Sequence, residues 1–149
     1  MVNRNIIHRI HIKYHDDEIP RLKKIQQGDL IDLYAAETVE LKRGASALIS
    51  LGVSMKLPRG WKANVYPRSS TFKNWGVLQT NSVGQIDNSY SGTNDIWKYP
   101  VFATRDTIIN KGDKICQFEI VPIMPQIEFV ETDTLDDSDR GGFGSTGKN

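Results

Sequence analysis

Apolar residues along this chain recur at alternate positions in short runs. Ile6, Ile10, Ile12 and Tyr14 share one parity over the first segment, as a strand buried on one face requires. Further strand-like runs cover Val39–Leu41, Ala47–Leu51, Ala63–Tyr66, Gly76–Thr80, Pro100–Ala103, Thr107–Ile109 and Ile115–Ile120, and another hydrophobic run leads into Asp87. Turn-forming clusters separate them: Lys42-Arg43-Gly44, Pro58-Arg59-Gly60, Asn88 to Thr93, and Asn110-Lys111-Gly112-Asp113. No long stretch keeps a 3.6-residue period, and Ser69 to Trp75 is the place for a short helix. This spacing predicts an all-β sandwich or barrel. Internal repeats and interdomain linkers are absent from the sequence. Thr132 to Asp139 is acidic and polar, and reads as a solvated connector to a glycine-rich tail from Arg140 to Asn149.

A chain of 149 residues is one domain by size, long enough to bury a core. Its 38% hydrophobic and 25% charged residues fit a globular protein rather than a disordered one. The net charge of +1 gives no whole-molecule attraction to nucleic acid or membrane, so any nucleotide site must be local. Cys116 is the single cysteine, which excludes a disulfide framework and a thiolate metal cluster. Met1 to His15 lacks the apolar run of a signal peptide, and no stretch approaches a membrane span. A reducing cytoplasm is the expected compartment.

Several segments carry candidate chemistry. His8, His11 and His15 would line one face of a helix and imitate a zinc cluster. On a strand, however, His8 and His11 point to opposite faces, and His11 and His15 lie roughly 13 Å apart. Structural or surface roles are therefore expected for them. In the tail, Gly142 and Gly147-Lys148 have Walker A spacing, but Asn149 stands where the hydroxyl residue belongs and no helix follows. What survives is a flexible flap for a phosphate-bearing ligand, with glycine N–H groups, hydroxyls and Arg140 as donors and Phe143 free to stack on a planar ring.

Pro67-Arg68-Ser69-Ser70 follows a strand, where an arginine and two hydroxyls suit a phosphate; a capped short helix with solvated Arg68 is the alternative. Asp32 sits between apolar neighbours and needs a cation, a metal-bound water or backbone donors. Asp29 and Glu37 read as surface carboxylates. In Val83-Gly-Gln-Ile-Asp87-Asn-Ser-Tyr90-Ser-Gly92, a strand ends at Asp87 and a hairpin-tip composition follows. An exposed backbone there suits a planar base edge, Tyr90 a sugar, and Asp87 a general base toward water. An Asx turn with Tyr90 packed on the sheet is the structural alternative.

Taken in order, Asp32-Leu-Tyr-Ala-Ala, Pro67-Arg-Ser-Ser-Thr, Asn81-Ser-Val-Gly-Gln-Ile-Asp-Asn-Ser-Tyr-Ser-Gly92, Gly112-Asp-Lys-Ile-Cys-Gln117 and Arg140-Gly-Gly-Phe-Gly-Ser-Thr-Gly147 resemble the five motifs of the homotrimeric dUTPases of bacterial or phage type. The resemblance spans residues 28–147. It implies a distorted jelly-roll subunit over residues 1–131, assembled as a trimer, with residues 132–149 closing a neighbour's site. It also implies hydrolysis of dUTP to dUMP and pyrophosphate by in-line attack of water on the α-phosphorus. In that scheme Asp87 is the general base, and Tyr90 lies under the deoxyribose and leaves no room for a 2′-hydroxyl. Asn81 with Gly84, Gln85, Ile86 and Asp87 reads the uracil edge and rejects cytosine and thymine. Arg68, Ser69, Ser70 and Gln117 contact phosphates. Arg140, Gly144, Ser145 and Thr146 close over the β- and γ-phosphates, while Phe143 stacks on uracil. Mg²⁺ would be held mainly by the triphosphate and waters, with Asp32 acting through one of those waters.

Two departures from the family pattern stand out. Leu30-Ile31 replaces an Ala-Gly pair, and Asn94 to Tyr99 places Trp97 in a segment that is normally aliphatic. With Trp61 and Trp75, Trp97 is a candidate for a bulkier rim or an added lid. Two rival readings use the same fold. A dCTP deaminase would need a glutamate-based acid/base where Asp87 stands. A regulatory protein, with the nucleotide as switch and a repressor as partner if phage-encoded, is compatible with catalysis.

Overall fold

The computed structural model describes residues 5–148. Among them lie eleven strands, β1 (His11–Tyr14), β2 (Ile31–Tyr34), β3 (Val39–Leu41), β4 (Ser46–Ser50), β5 (Val53–Lys56), β6 (Trp61–Pro67), β7 (Val77–Gln79), β8 (Gly84–Ile86), β9 (Lys98–Ala103), β10 (Thr107–Ile109) and β11 (Lys114–Pro122), and one short helix, α1 (Thr71–Trp75). The all-β expectation therefore holds, and α1 falls inside the segment expected to be helical.

The long strands form where alternation is strongest. In β6, Ala63 and Val65 are buried while Lys62, Asn64 and Tyr66 point the other way. Its pairing with β11 sets Phe118 opposite Val65 and Ile120 opposite Ala63. One sheet has the order β2-β11-β6-β8 and a second the order β4-β9-β7, with β1-β5 and β3-β10 as antiparallel pairs beside them. The core lies between these layers. Trp97 meets Phe118 edge-on at 5.2 Å between ring centroids, and Tyr99, Val101, Ile49 and Cys116 are fully enclosed. Each large apolar side chain so buried contributes about 1.5–3 kcal/mol.

Three differences from the sequence expectation have physical causes. β5 shows no alternation because Val53, Ser54 and Met55 are all covered. The first strand begins only at His11, and Ile6 and Ile7 are exposed. The stretch around Asp87 is no hairpin: β8 pairs with β6 and β9 with β4 and β7, so residues 87–97 cross from one sheet to the other. Asn88 pins that crossing through its amide, which donates to the Pro58 and Trp61 carbonyls at 2.9 and 2.8 Å.

α1 ends on Gly76 at φ 63°, a left-handed conformation that favours glycine, and an added Cβ there would lie 2.7 Å from the Arg105 side chain and force it to shift. The packed body ends with β11 at Pro122, earlier than the expected boundary at 131. From Ile123 to Lys148 the chain is exposed and without strands or helices. No helix among the described residues is long and apolar enough to cross a membrane.

Candidate active site

A cavity of about 420 Å³ opens at the end of the two sheets. β8 forms one wall. It is the terminal strand of its sheet, so one edge carries backbone N–H and C=O groups that no strand pairs. Asn81, Gly84, Gln85, Ile86, Asp87 and Tyr90 all line this cavity. Gly84 fits tightly, since a Cβ would come within 3.0 Å of Val65. Asp87 is exposed, and its carbonyl accepts the Tyr90 N–H at 3.0 Å, which closes the turn that carries both side chains. Of the lining residues, Asp87 alone is a carboxylate.

Sequence reasoning overlooked Gln79 in this wall. Its amide donates to the Val65 carbonyl at 3.0 Å and to the Asn81 side-chain oxygen at 2.9 Å, and so orients Asn81 toward the cavity wall beside Gly84. The signal was its position two residues before Asn81 in β7. Other lining residues are Trp97, at the end of the crossing segment, and Tyr99 and Pro100 of β9 in the second sheet. Trp97 is fully buried, Trp61 tilts against His8 at 4.8 Å, and Trp75 belongs to α1. The rim or lid of three tryptophans therefore does not exist; the indole of Trp97 is too large and apolar to stay at the surface when Phe118 offers it a partner.

A second cluster forms where β2, β11 and β6 end together. Register sets Gln117 opposite Asp32 on one side and Tyr66 on the other. Arg68 Nε lies 3.0 Å and Lys114 Nζ 3.8 Å from the two oxygens of Asp32, and the pair is about three-quarters buried. Arg68 also donates to the Lys114 carbonyl at 3.2 Å, and Gln117 to the Pro67 carbonyl at 3.1 Å. Thr71, rather than Ser70, organises the turn: its hydroxyl accepts from Arg68 N–H at 2.8 Å and donates to the Ile115 carbonyl at 3.0 Å. Ser70 makes no side-chain cap. The capped-helix alternative with solvated Arg68 thus fails, and among the described residues the hydroxyls of Ser69 and Ser70 have no protein partner.

Charge in this cluster is felt by its buried neighbours. Burial, followed by the Asp32 carboxylate, pushes the Cys116 thiol well above its ordinary range and raises the Tyr34 phenol. The cluster carries two cations against one carboxylate and so favours an anion. It stands outside the 420 Å³ cavity, none of whose lining residues belongs to it. One chain therefore presents the two halves separately. The tail touches neither half: Phe143 is wholly exposed, and the hydrogen bonds of residues 140–148 are internal, from Ser145 N to Gly142 O and Gly147 N to Gly144 O.

The histidines are dispersed. His15 bonds the Ser54 hydroxyl at 2.8 Å, His8 packs on Trp61 and His11 is exposed. Among the described residues no group of three or more His, Cys, Asp or Glu is placed to hold a metal. Asp32, the carboxylate of the anion-favouring cluster, is nevertheless a fitting donor for Mg²⁺, which keeps its waters and is bound through one or two carboxylates plus phosphates.

The dUTPase family model matches residues 18–147. The chain belongs to the dUTPase family. It is 55% identical over 139 residues to the SPbeta prophage-derived deoxyuridine 5′-triphosphate nucleotidohydrolase of Bacillus subtilis, covering 93% of this chain and 98% of that one. It is 34% identical over 145 residues to the deoxyuridine 5′-triphosphate nucleotidohydrolase of Thermobifida fusca, covering 93% and 79%. Among solved structures, the dUTPase of Staphylococcus bacteriophage 80alpha with dUPNHPP superposes at a TM-score of 0.75 and 20% identity, covering 94% of this chain and 99% of that one. A dUTPase of phage phi11 of S. aureus, described with a structural Mg(II) ion, gives 0.73 at 20% identity, covering 84% and 98%. These likenesses at low identity carry the fold, and the all-β subunit is the jelly roll expected of a dUTPase.

Proposed function

We infer that this chain is a dUTP diphosphatase that hydrolyses dUTP to dUMP and pyrophosphate, with Mg²⁺ as its cofactor. Family membership supplies the reaction, and one observation supports the assignment of parts: an unpaired strand edge, a carboxylate and a tyrosine share one cavity. The free edge of β8 pairs with the uracil edge, with Asn81 held ready by Gln79. Tyr90 presents its ring to the sugar. Asp87 orients a water and takes its proton as the new P–O bond forms at the α-phosphorus. The bond from that phosphorus to the bridging oxygen breaks, and pyrophosphate leaves with the electron pair.

Arg68, Ser69, Ser70 and Gln117 hold the phosphates, and their positive balance offsets the charge on the transferring group. Asp32 would hold Mg²⁺ through water beside the triphosphate, and the bound ion would supply neutralisation of phosphate charge. Catalysis then rests on positioning and electrostatics, with no covalent intermediate. In the cytoplasm the reaction limits uracil in DNA and supplies dUMP.

The working form is a homotrimer with shared sites. The separation of the cavity from the anion cluster within one chain supports this, as does unpartnered apolar surface. Leu78 lies opposite Phe102 across β7 and β9, and both are exposed, as are Leu48, Ile127 and Phe129. Residues 132–149 form the connector and tail that carry Arg140, Phe143, Gly144, Ser145 and Thr146 to a neighbour. Because that tail orders around a nucleotide, it also offers a ligand-dependent surface for a regulatory partner such as a repressor.

The test is pyrophosphate release from dUTP, dTTP, dCTP and UTP with Mg²⁺. Turnover confined to dUTP supports the whole assignment. Ammonia released from dCTP would replace it with the deaminase reading, which Asp87 as the cavity's one carboxylate disfavours.

A further inference from the structure

Asn94 to Tyr99 is one of the two segments that depart from the family pattern, and in the fold the stretch from Gly92 to Trp97 is tied to the cavity. Tyr90 is 39% exposed, yet its hydroxyl donates to the Ile96 carbonyl at 3.0 Å. Ile96 lines the same cavity as Tyr90. The carbonyl of Ile96 is fixed from both sides. Before it, the Asp95 carboxylate accepts from Gly92 N–H at 2.8 Å and Asp95 N–H donates back to the Gly92 carbonyl at 3.1 Å, which closes a four-residue turn. After it, Trp97 is anchored by two backbone bonds, its N–H to the Val53 carbonyl at 2.8 Å and its carbonyl from Leu51 N–H at 2.9 Å, and by its buried ring against Phe118.

We propose that residues 92–97 are a latch that positions Tyr90, and that Asp95 sets the discrimination between 2′-deoxyribose and ribose nucleotides by holding that latch closed. The proposal rests on the reading of Tyr90 as the sugar platform. Excluding a hydroxyl by lack of room works only as well as the wall resists being pushed aside. A half-exposed tyrosine held by its own Cα alone swings about χ1 and χ2 at little cost. Tied at its far end to a carbonyl that is itself anchored in the core, the ring becomes a fixed wall. Asp95 touches no substrate in this scheme and acts through the turn.

The experiment compares kcat/KM for dUTP and UTP in the wild-type protein and in Tyr90→Phe, Asp95→Ala, Asp95→Asn and Tyr90→Ala. Tyr90→Phe keeps the ring and loses the tie; Asp95→Ala opens the turn. Both should lower the dUTP/UTP ratio roughly tenfold, the scale on which one small group is discriminated by fit, chiefly because UTP turnover rises. Asp95→Asn keeps an oxygen for Gly92 N–H and should restore the wild-type ratio. If Tyr90→Ala loses selectivity while Tyr90→Phe and Asp95→Ala retain it, the latch is refuted and the platform stands. If Tyr90→Ala also retains selectivity, the platform reading falls and the latch with it. A fall in dUTP turnover in Asp95→Ala with the ratio unmoved would likewise overturn the proposal, because it would mark a merely structural role.

Discussion

The guanidinium of Arg68 and the carboxylate of Asp32 face each other at 3.0 Å across the ends of β6 and β2. The arginine proposed for phosphate binding is thus held, before any ligand arrives, by the carboxylate proposed to reach Mg²⁺ through water. Only about a quarter of each side chain is exposed, so desolvation of both charges offsets much of their attraction, and the geometry of the pair matters more for the ligand than for folding. Arg68→Ala should lower kcat/KM for dUTP by roughly 10²–10³-fold, the cost of removing one preorganised charge-stabilising donor. Lys114 still faces the Asp32 carboxylate in that variant, so the unfolding midpoint should move by only a few degrees, at roughly 2–4 °C per kcal/mol for a domain of this size. Steady-state pyrophosphate assays beside thermal melts check both halves; a large loss of stability with intact turnover would make the pair structural.

Asp87 is exposed and lines the cavity, and among the described residues its carboxylate has no hydrogen bond or ion pair that its loss would break. Asp87→Asn should therefore fold normally, bind dUTP, and hydrolyse it roughly 10²–10⁴-fold more slowly, the usual contribution of a positioned general base. Calorimetric binding of a non-hydrolysable dUTP analogue, set beside single-turnover rates, separates the two. Persistent turnover would remove Asp87 from the role.

Much of this was legible in the sequence where local rules act alone. Alternation found β4, β6, β9 and β11 because each has one covered face, and Gly112-Asp113 marked the turn into β11. β5 escaped because both its faces are covered, which erases the period, and β8 was misjudged as half of a hairpin because strand partners depend on the whole sheet order. The candidate residues Asn81, Gly84–Asp87 and Tyr90 are brought to one wall, and Asp32, Arg68 and Gln117 to one cluster. That these are two places in a single chain is a fact of topology with no local signature. The same holds for Gln79, Thr71 and Asp95, whose partners lie across strands or in irregular turns.

Lys111 joins the turn before β11 to the loop after β1, with Nζ 2.6 Å from Asp16 and 3.4 Å from Glu18. Its bond to Asp16 raises the ammonium above the ordinary 10.5, and the same bond lowers the Asp16 carboxyl below the ordinary 3.8. The lowered acid contributes stability that is present above its unfolded value and lost as pH falls through the folded one. The raised base contributes stability that is present below its unfolded value and lost as pH rises through the folded one. Lys111→Met should therefore melt below wild type across the middle of the pH range, with the gap closing in acid below 3.8 and in base above 10.5. Melting curves taken across that range would show a constant gap if Lys111 acted through its apolar stem alone.

Cys116 is wholly enclosed between the sheets, and burial keeps its thiol protonated far above the ordinary range. Thiolate, the reactive form, is scarce and inaccessible there. A thiol reagent should leave the native protein unmodified and label it stoichiometrically in denaturant, as mass spectrometry would read. Rapid labelling of the native protein would mean that β11 opens often.

Among the described residues, 140–148 exchange hydrogen bonds only with one another, and Phe143 lies wholly in solvent. Stability should therefore be indifferent to their loss, whereas the proposed site is incomplete without them. A chain ending after Asp139 should elute as the same oligomer as the full chain and melt within about 2 °C of it, since surface changes away from packed groups alter stability by roughly 0.5 kcal/mol or less. Its kcat/KM for dUTP should fall by at least about 10², the scale of lost positioning. Phe143→Ala should fall between the two, because it removes the proposed stack on uracil and keeps Arg140 and the glycine N–H groups. Size-exclusion chromatography, thermal melts and pyrophosphate release on the three proteins decide the matter: undiminished turnover by the truncated chain would take the tail out of the active site, and a collapsed oligomer would make it part of the assembly instead.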